Sequence, residues 1–272
     1  MTTPSDWNAV GQRWLDENPQ PFWRRLHNEL NLELLGSWTT PRAQNRVLKT
    51  DLFDEVVGDG LLPWFDNRTT TIGMDCASKV AFRARRKGRS VLVADSRRLP
   101  YRPGSLDLVV SNSTLDHFES MDEVQRSLGE LRQALRPGGR LILTMDNLAN
   151  PVVGLRNRLP FTLLQRLGII PYPMGATGGP RALRRVLEEQ GFDIVQMRAV
   201  SHVPRLPAVV LAGWLERLGW ARGSSVFRRL VLLCEILDQL PTRYLTGYYV
   251  ALLAEVPVGE PPPPEVRSEA AQ

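Results

Sequence analysis

Short apolar runs alternate with amphipathic segments along the chain from residue 46 onward. The runs, each long enough for a strand, are RVLKTD (46–51), TTIGMD (70–75), SVLVAD (90–95), LDLVVSNS (106–113) and RLILTMDN (140–147). Before the last run, apolar residues recur at three- and four-residue steps, at Val124, Leu128, Leu131 and Leu135. That spacing, followed by Pro-Gly-Gly, predicts a helix and its end. The alternation predicts an α/β fold with a doubly wound, mostly parallel sheet and helices on both faces.

The flanking segments predict additions to this sheet. Residues 1–45 are interpreted as a helical N-terminal cap that carries Trp7, Trp14, Trp23 and Trp38. Within the main domain, 46–258, the long connection 148–180 with Phe161 and Tyr172 is interpreted as a lid. Residues 205–240 predict an apolar helical insertion before the last strand. Residues 259–272, rich in proline and charge, predict a disordered tail.

Composition limits the size of the core, the cellular compartment and the class of partner. With 272 residues, 43% of them hydrophobic, the chain can bury a large core. Two cysteines, Cys76 and Cys234, lack metal-type spacing and suit a reducing compartment. The polar N-terminus and the charges that interrupt every apolar segment predict a cytoplasmic protein without stable membrane insertion. The basic cluster at 83–89 lacks interleaved aromatic residues, so we expect no nucleic-acid partner. Because no cluster of metal-ligand residues is apparent in the sequence, we expect no metal site.

Acidic residues close two neighbouring predicted strands. Asp75 and Asp95 each end an apolar run, and ligands of such sheets bind at the carboxyl ends of the strands. A carboxylate at Asp75 suits the hydroxyl groups of a ribose, and one at Asp95 suits the exocyclic amine of a base. Either residue alone more often caps a helix or turn. Two in succession favour ligand binding.

These residues and the segments around them resemble class I S-adenosylmethionine-dependent methyltransferases. The matching stretches are VADSRRLPYRPGSLDLVVSNSTLDHF (93–118) and LGELRQALRPGGRLILT (128–144). The resemblance implies a Rossmann-like sheet of seven strands and S-adenosyl-L-methionine as cofactor. It also implies that Asp75 holds the ribose and that Asp95 approaches the adenine. The predicted cofactor-binding set adds Lys49, Thr50, Asp51, Cys76, Ser96, Asn112 and Ser113.

The first turn departs from the family pattern. The family follows its first strand with an acid and a glycine-rich turn, whereas this chain has Lys49 at the acid position. The glycine positions are occupied by Asp51, Phe53 and Glu55. One interpretation is an altered cofactor turn, with Lys49 near the cofactor's carboxylate and Asp51 or Asp54 near its ammonium. The other is a capping box at a helix start, which requires no ligand. The two are compatible.

The segment SNSTLDHF, which follows the fourth run, is the predicted site of chemistry. His117 or Asp116 is the candidate base for removing a proton from the acceptor. His117 fixing the turn through a backbone hydrogen bond is the alternative. His27, alone on an amphipathic helix, is expected to be structural.

The aromatic residues of the cap and lid predict a small organic acceptor. We expect the reaction to belong to biosynthesis in secondary metabolism. A homodimer through 205–240 is a further possibility. Two other functions stay open. One is a different reaction of the same cofactor, such as intramolecular cyclisation or alkyl transfer. The other is a non-catalytic binding protein on the same fold.

Overall fold

The structure is a computed structural model that describes residues 4–17, 20–40, 42, 44–65, 69–166 and 174–259. The predictions about Tyr172, the side chain of Trp14 and the tail from residue 260 onward lie outside the described residues.

Within the described chain, seven strands form one sheet in the order β3-β2-β1-β4-β5-β7-β6. Their bounds are β1 Arg46–Thr50, β2 Thr70–Asp75, β3 Val91–Val93, β4 Leu106–Asn112, β5 Leu135–Asp146, β6 Asp193–Val200 and β7 Tyr249–Glu255. Strands β1 to β5 pair in parallel, whereas β7 is antiparallel to both β5 and β6. Strand order reverses between β1 and β4, which is where such sheets bind ligands. The predicted fold class is confirmed.

Twelve α-helices connect or extend the described strands. They are α1 Pro4–Glu17, α2 Pro21–Trp38, α3 Phe53–Val57, α4 Leu62–Phe65, α5 Ser78–Arg86, α6 Met121–Ala134, α7 Pro151–Arg158, α8 Phe161–Arg166, α9 Pro180–Glu189, α10 Arg205–Leu218, α11 Ala221–Cys234 and α12 Arg243–Thr246. Short 3-10 turns span Leu115–His117 and Glu235–Gln239. None of the described helices combines the length and apolar character that a membrane crossing requires.

Helix α6 shows how local sequence sets an element. The hydroxyl of Ser120 accepts a hydrogen bond from the Glu123 backbone N–H at 3.3 Å, which caps the helix start. The helix ends at Ala134, and Leu135 already has the extended conformation of β5. The Pro-Gly-Gly stretch therefore lies in the strand. The sequence predicted the helix end at this stretch, but the helix ends before it, at Ala134.

Both faces of the sheet are covered because successive strand residues point to opposite sides. Val47 of β1 packs on one side with α2, α10 and α11, and Leu48 packs on the other with α6 and α9. Trp23, Leu26 and Leu30 of α2 are buried in the first of these layers. The second helix of the N-terminal segment is thus part of the main core.

Helix α1 lies against α5. The Asn8 side-chain oxygen accepts a hydrogen bond from the Lys79 backbone N–H at 2.9 Å, and that of Gln12 accepts one from Arg83 at 3.1 Å. Val80 and Ala81 of α5 are buried on the side of this helix pair where Trp7 is packed. The N-terminal residues are therefore positioned over the carboxyl edge of β2.

Candidate active site

A cavity lies over the carboxyl ends of β1, β2 and β4, at the point where the strand order reverses. Nine predicted site residues line it: Thr50, Asp51, Asp75, Cys76, Asp95, Ser96, Asn112, Ser113 and His117. Two others, Lys49 and Asp116, are buried and are absent from the cavity wall. The strand-end positions expected from the sequence thus meet at one edge of the sheet.

The turn after β1 adopts a glycine-like conformation without a glycine. Asp51 has φ of 64°, in the left-handed region where aspartate is tolerated better than most residues. Its carboxylate accepts a hydrogen bond at 2.7 Å from the backbone N–H of Phe53, the first residue of α3. Asp51 thus tethers the start of a helix and also lines the cavity. The predicted capping box is not formed, because Leu52 is the N-cap residue of α3 and Asp54 pairs with Arg24.

Lys49 and Glu55 form a buried ion pair beneath this turn. The Lys49 ammonium lies 3.0 Å from the Glu55 carboxylate, and the two side chains are 2% and 0% exposed. Burial alone would lower the pKa of Lys49, but the carboxylates of Glu55, Asp51 and Asp54 outweigh it and raise the pKa. Lys49 also donates to the backbone oxygens of Thr50 and Asp51. Its predicted contact with a cofactor stays a prediction that this geometry does not support.

Asp75 lies at the end of β2 with each carboxylate oxygen receiving a backbone hydrogen bond. The donors are Leu52 at 2.9 Å and Ala77 at 2.7 Å. Burial, together with the nearby charge of Asp51, raises the pKa of Asp75 to about 7. A carboxylate oxygen can accept more than one hydrogen bond, so the hydroxyl groups of a ribose have acceptors here.

Asp95 is engaged by an arginine that the sequence reasoning missed. The Arg97 guanidinium donates to Asp95 at 2.6 Å and to Glu123 at 2.5 Å, and it stacks 5.0 Å from the centre of the Phe118 ring. Burial alone would raise the pKa of Asp95, but the hydrogen bonds and charge of Arg97 hold it below its usual value. Asp95 is therefore an ionised acceptor. The signal available in the sequence was the position of Arg97 two residues after Asp95, within reach of its carboxylate.

Cys76 and Ser96 complete the wall between these two acids. Burial and the charges of Asp75 and Asp95 raise the pKa of the Cys76 thiol to about 12. Asp75, Cys76 and Asp95 all line the same cavity. Ser96 is buried, with its hydroxyl 3.3 Å from that of Ser127.

Hydrogen bonds hold the loop after β4. Asn112 accepts from the Thr144 hydroxyl at 2.6 Å, and Ser113, with φ of 47°, donates from its hydroxyl to Asp116 at 3.0 Å. Asp116 also accepts from the Asp146 backbone N–H at 3.1 Å. Burial and the Asp146 charge raise the pKa of Asp116. These contacts make Asp116 a support of the loop, and its predicted catalytic role stays without geometric support.

The opposite wall comes from the cap and from α10. The ring of Trp7 lies 5.2 Å from that of His117, and the ring of His27 lies 5.1 Å from that of Tyr249. Burial, followed by the charge of Arg205, lowers the pKa of His27 to about 4, so this imidazole is neutral. Its Nε2 atom is buried and has no hydrogen-bond partner among the described residues. His27 was expected to be structural, yet it lines the cavity.

A family model described as "Methyltransferase domain" matches residues 57–143. A probable tRNA methyltransferase 9B of Mus musculus is 29% identical over 129 residues, which are 47% of this chain and 27% of that protein. A tRNA (carboxymethyluridine(34)-5-O)-methyltransferase of Arabidopsis thaliana is 29% identical over 94 residues, 35% of this chain and 23% of that protein. The chain thus aligns with about a quarter of the length of each relative.

Solved structures resemble the whole chain. One is the complex between the Haloferax volcanii Trm112 methyltransferase activator and the putative methyltransferase, with a TM-score of 0.60 at 15% identity. It covers 91% of this chain and 97% of the other. A possible histamine N-methyltransferase of Thermotoga maritima has a TM-score of 0.58 at 15% identity and covers 91% of this chain and 98% of the other. These likenesses concern the fold.

The comparisons correct one set of predictions. We expected a small-molecule acceptor and no nucleic-acid partner, but the curated relatives are named as tRNA methyltransferases. That expectation is therefore wrong. It failed because the basic cluster at 83–89, which lacks interleaved aromatic residues, was the one surface weighed for nucleic-acid binding. The expected role in biosynthesis finds no support among these relatives.

The remaining comparisons agree with the sequence. The matched domain covers β2 to β5, and the strand order places the predicted acids and the SNSTLDHF loop around one cavity. The predicted family, the predicted enzyme class of the domain and its cofactor are confirmed. Residues 57–143 therefore match the methyltransferase-domain family, and the described chain has the fold of the class I S-adenosylmethionine-dependent methyltransferases.

Proposed function

We propose that the chain transfers a methyl group from S-adenosylmethionine to a nucleobase, or a group attached to one, in an RNA of the tRNA class. The observation that carries this proposal is the two-sided cavity. Strand-end acids line one side, and aromatic and cationic side chains of the cap and α10 line the other. The names of the curated relatives support the choice of acceptor.

The acid side suits the cofactor. Asp75 offers carboxylate oxygens to ribose hydroxyl groups, and the ionised Asp95 offers an acceptor to an adenine amine. Asp51 reaches the same cavity from the turn after β1, where a carboxylate suits an ammonium group. S-adenosylmethionine supplies a methyl group on a positively charged sulfur, which an acceptor atom attacks in line.

The cap side suits a planar base. Trp7, Trp23 and Tyr249 all contribute rings to the cavity wall. Enzymes that act on a base take it out of the stack and hold it against aromatic side chains and guanidinium groups. Arg205 provides such a guanidinium, and its charge reaches His27.

In this proposal His117 accepts a proton from the acceptor, and His27 hydrogen-bonds the base. His117 lies on the loop after β4, beside the reacting atoms, and takes the proton when the acceptor atom carries one. Trp7 packs against His117 and keeps water from that side of the cavity. His27, neutral at physiological pH, directs its buried Nε2 to a polar edge of the base.

The proposal is tested with S-adenosylmethionine labelled in its methyl group. Purified full-length protein is incubated with unmodified tRNA, with total tRNA or without RNA, and the label is followed into precipitated RNA. We expect label in RNA only with the protein present. Methylthioadenosine released without RNA would instead indicate another reaction of the same cofactor.

Variants separate the two sides of the cavity. Asp75→Ala should abolish binding of S-adenosylhomocysteine in calorimetry and methylation together. His27→Ala should keep that binding and lower methylation about tenfold through one lost hydrogen bond. Glu188→Gln on the exposed side of α9 is the control and should change neither. Cofactor binding without any RNA labelling would overturn the acceptor, and absence of cofactor binding would overturn methyl transfer.

A further inference from the structure

Exposed apolar side chains are concentrated on the segment from α10 to α12. Of the twenty large hydrophobic residues exposed in the described part of the chain, twelve lie between 206 and 245. Single exposed apolar residues are ordinary on a soluble protein. A contiguous group marks a surface that contacts something else.

Helix α10 is apolar on two sides. Leu206, Val210, Trp214 and Leu218 recur at every fourth residue and are 46%, 73%, 54% and 56% exposed. The other side of the helix, which carries Ala208, Ala212 and Leu215, is buried. A helix that is apolar nearly all round is usually covered all round. In this structure only one of its sides is covered by the core.

Helix α11 continues the surface and adds charge. Val226, Leu230 and Leu233 share one side of the helix at steps of four and three residues and are 54–59% exposed. Arg222 stands four residues before Val226 and Arg229 three residues after it, so both emerge on that same side. We call these residues, together with the exposed stripe of α10, the α10–α11 face.

The exposed sides of α10 and α11 point in the same direction, because the opposite side of each helix packs on α2. Phe227 of α11 lies 6.2 Å from the ring of Phe22, and Arg228 forms an ion pair with Glu29 at 2.7 Å. Leu215 of α10 is buried in the same cluster as α2. The exposed sides therefore both face away from the core.

Charge decides what covers this face. Between 205 and 246 the chain has six arginines and three acidic residues. Arg205 lines the cavity and Arg228 pairs with Glu29, whereas Arg222 and Arg229 lie on the α10–α11 face. The surface is thus apolar with an excess of positive charge.

We propose that the α10–α11 face docks in the plane of an anionic lipid surface. Long arginine side chains can lay their stems on apolar surface while their guanidinium groups reach phosphate. Trp214 and Trp220, each 54% exposed, are of the type that sits at the boundary between acyl chains and headgroups. Positive charge and apolar area together give this kind of binding its strength.

Two other occupants fit less well. A twofold dimer would bring Arg222 and Arg229 of both copies into one interface, where the residues of the α10–α11 face include no acid to pair with them. A nucleic acid would satisfy the arginines but leave the leucine, valine and tryptophan side chains without apolar contact. The lipid surface satisfies both kinds of side chain.

The test is cosedimentation of the full-length protein with vesicles. Phosphatidylcholine vesicles are compared with vesicles containing about a third phosphatidylglycerol. We expect binding to the anionic vesicles that weakens as salt is raised. The double variant Val226→Glu/Leu230→Glu should weaken that binding at least about tenfold. The double variant Arg222→Glu/Arg229→Glu should abolish the preference for anionic lipid.

Val195→Glu is the matched control, because Val195 of β6 is also 53% exposed but lies away from the α10–α11 face. It should bind vesicles like the unmodified chain. All variants are checked by thermal unfolding, which these exposed changes should leave unaltered. Equal sedimentation of the face variants and the control would overturn the proposal. A concentration-dependent dimer, or tRNA binding, that the face variants abolish while vesicle binding persists would overturn it as well.

Discussion

The Lys49 ammonium lies 3.0 Å from the Glu55 carboxylate, beneath the turn that follows β1. Glu55 also accepts a hydrogen bond from the Leu61 backbone N–H at 2.9 Å, so the pair joins β1, α3 and the start of α4. The altered residues of this turn therefore form a structural unit. Of the altered turn positions, Asp51 and Phe53 line the cavity.

Removing one member of this pair should destabilise the fold strongly. Lys49→Met leaves the buried Glu55 carboxylate without its counter-charge, and we expect a loss of about 3–5 kcal/mol in the free energy of unfolding. Urea denaturation measures it. The double variant Lys49→Met/Glu55→Leu removes both charges and should recover part of the loss. A Lys49→Met protein as stable as the unmodified chain would show that the pair contributes little.

Gly60 is required by the same unit. It has φ of 63°, and a Cβ atom there would lie 2.3 Å from a Glu55 side-chain carbon. Gly60→Ala should therefore lower the free energy of unfolding by about 1–3 kcal/mol. Gly213, in the middle of α10, has nothing within 4 Å of an added Cβ. Gly213→Ala is the control and should raise stability by about 0.5–1 kcal/mol.

Cofactor affinity should depend on pH through Asp75. Burial and the charge of Asp51 raise the pKa of Asp75 to about 7, so the carboxyl is largely protonated at pH 6 and ionised at pH 8. Ribose hydroxyl groups donate to the ionised form. The affinity for S-adenosylhomocysteine should rise about tenfold from pH 6 to pH 8, with proton release on binding near neutral pH. Calorimetry in buffers of different ionisation enthalpy measures both.

Two variants check this assignment. Asp75→Asn should bind weakly with a flat pH profile. Asp51→Asn keeps an oxygen for the Phe53 hydrogen bond and removes the charge, so the midpoint of the profile should move to lower pH. For stability the sign is opposite. Because the folded pKa lies above the unfolded value of 3.8, the contribution of Asp75 to stability falls as pH rises from about 4 to 7. A profile unchanged in Asp75→Asn would contradict the assignment.

Gly175 positions the loop that carries His117. Its backbone N–H donates to the Asp116 backbone oxygen at 3.0 Å, and an added Cβ would lie 2.3 Å from the Phe118 backbone oxygen. Gly175→Ala should push this loop out of place. We expect methyl transfer to fall more than about tenfold while S-adenosylhomocysteine binding changes less, because Asp75 and Asp95 lie on other strands. Equal loss of both would indicate a wider disturbance.

Strand positions were predictable because burial on both faces gives short apolar runs that local spacing reveals. The run at 70–75 became β2 with the expected bounds, and the acid that ends it lines the cavity. The start of β5 at Leu135 was not predicted. The Pro-Gly-Gly stretch was interpreted as the end of the preceding helix, but it lies within the extended strand.

Contacts between distant segments were beyond reach of the sequence. Helical spacing in the first 45 residues predicts helices, but nothing local says that Trp7 meets His117 or that His27 meets Tyr249. Lys49 shows the same limit. Its place at the end of β1 suggested a ligand, and only the fold reveals that Glu55, six residues on, takes up its charge.

The sheet order has a consequence for synthesis of the chain. Strand β6, at one edge, pairs with β7, and β7 separates it from β5. While a ribosome is still translating residues 249–255, both β5 and β6 expose unpaired backbone groups to other nascent chains. The interval before the seventh strand emerges is therefore the period in which this protein most needs a chaperone.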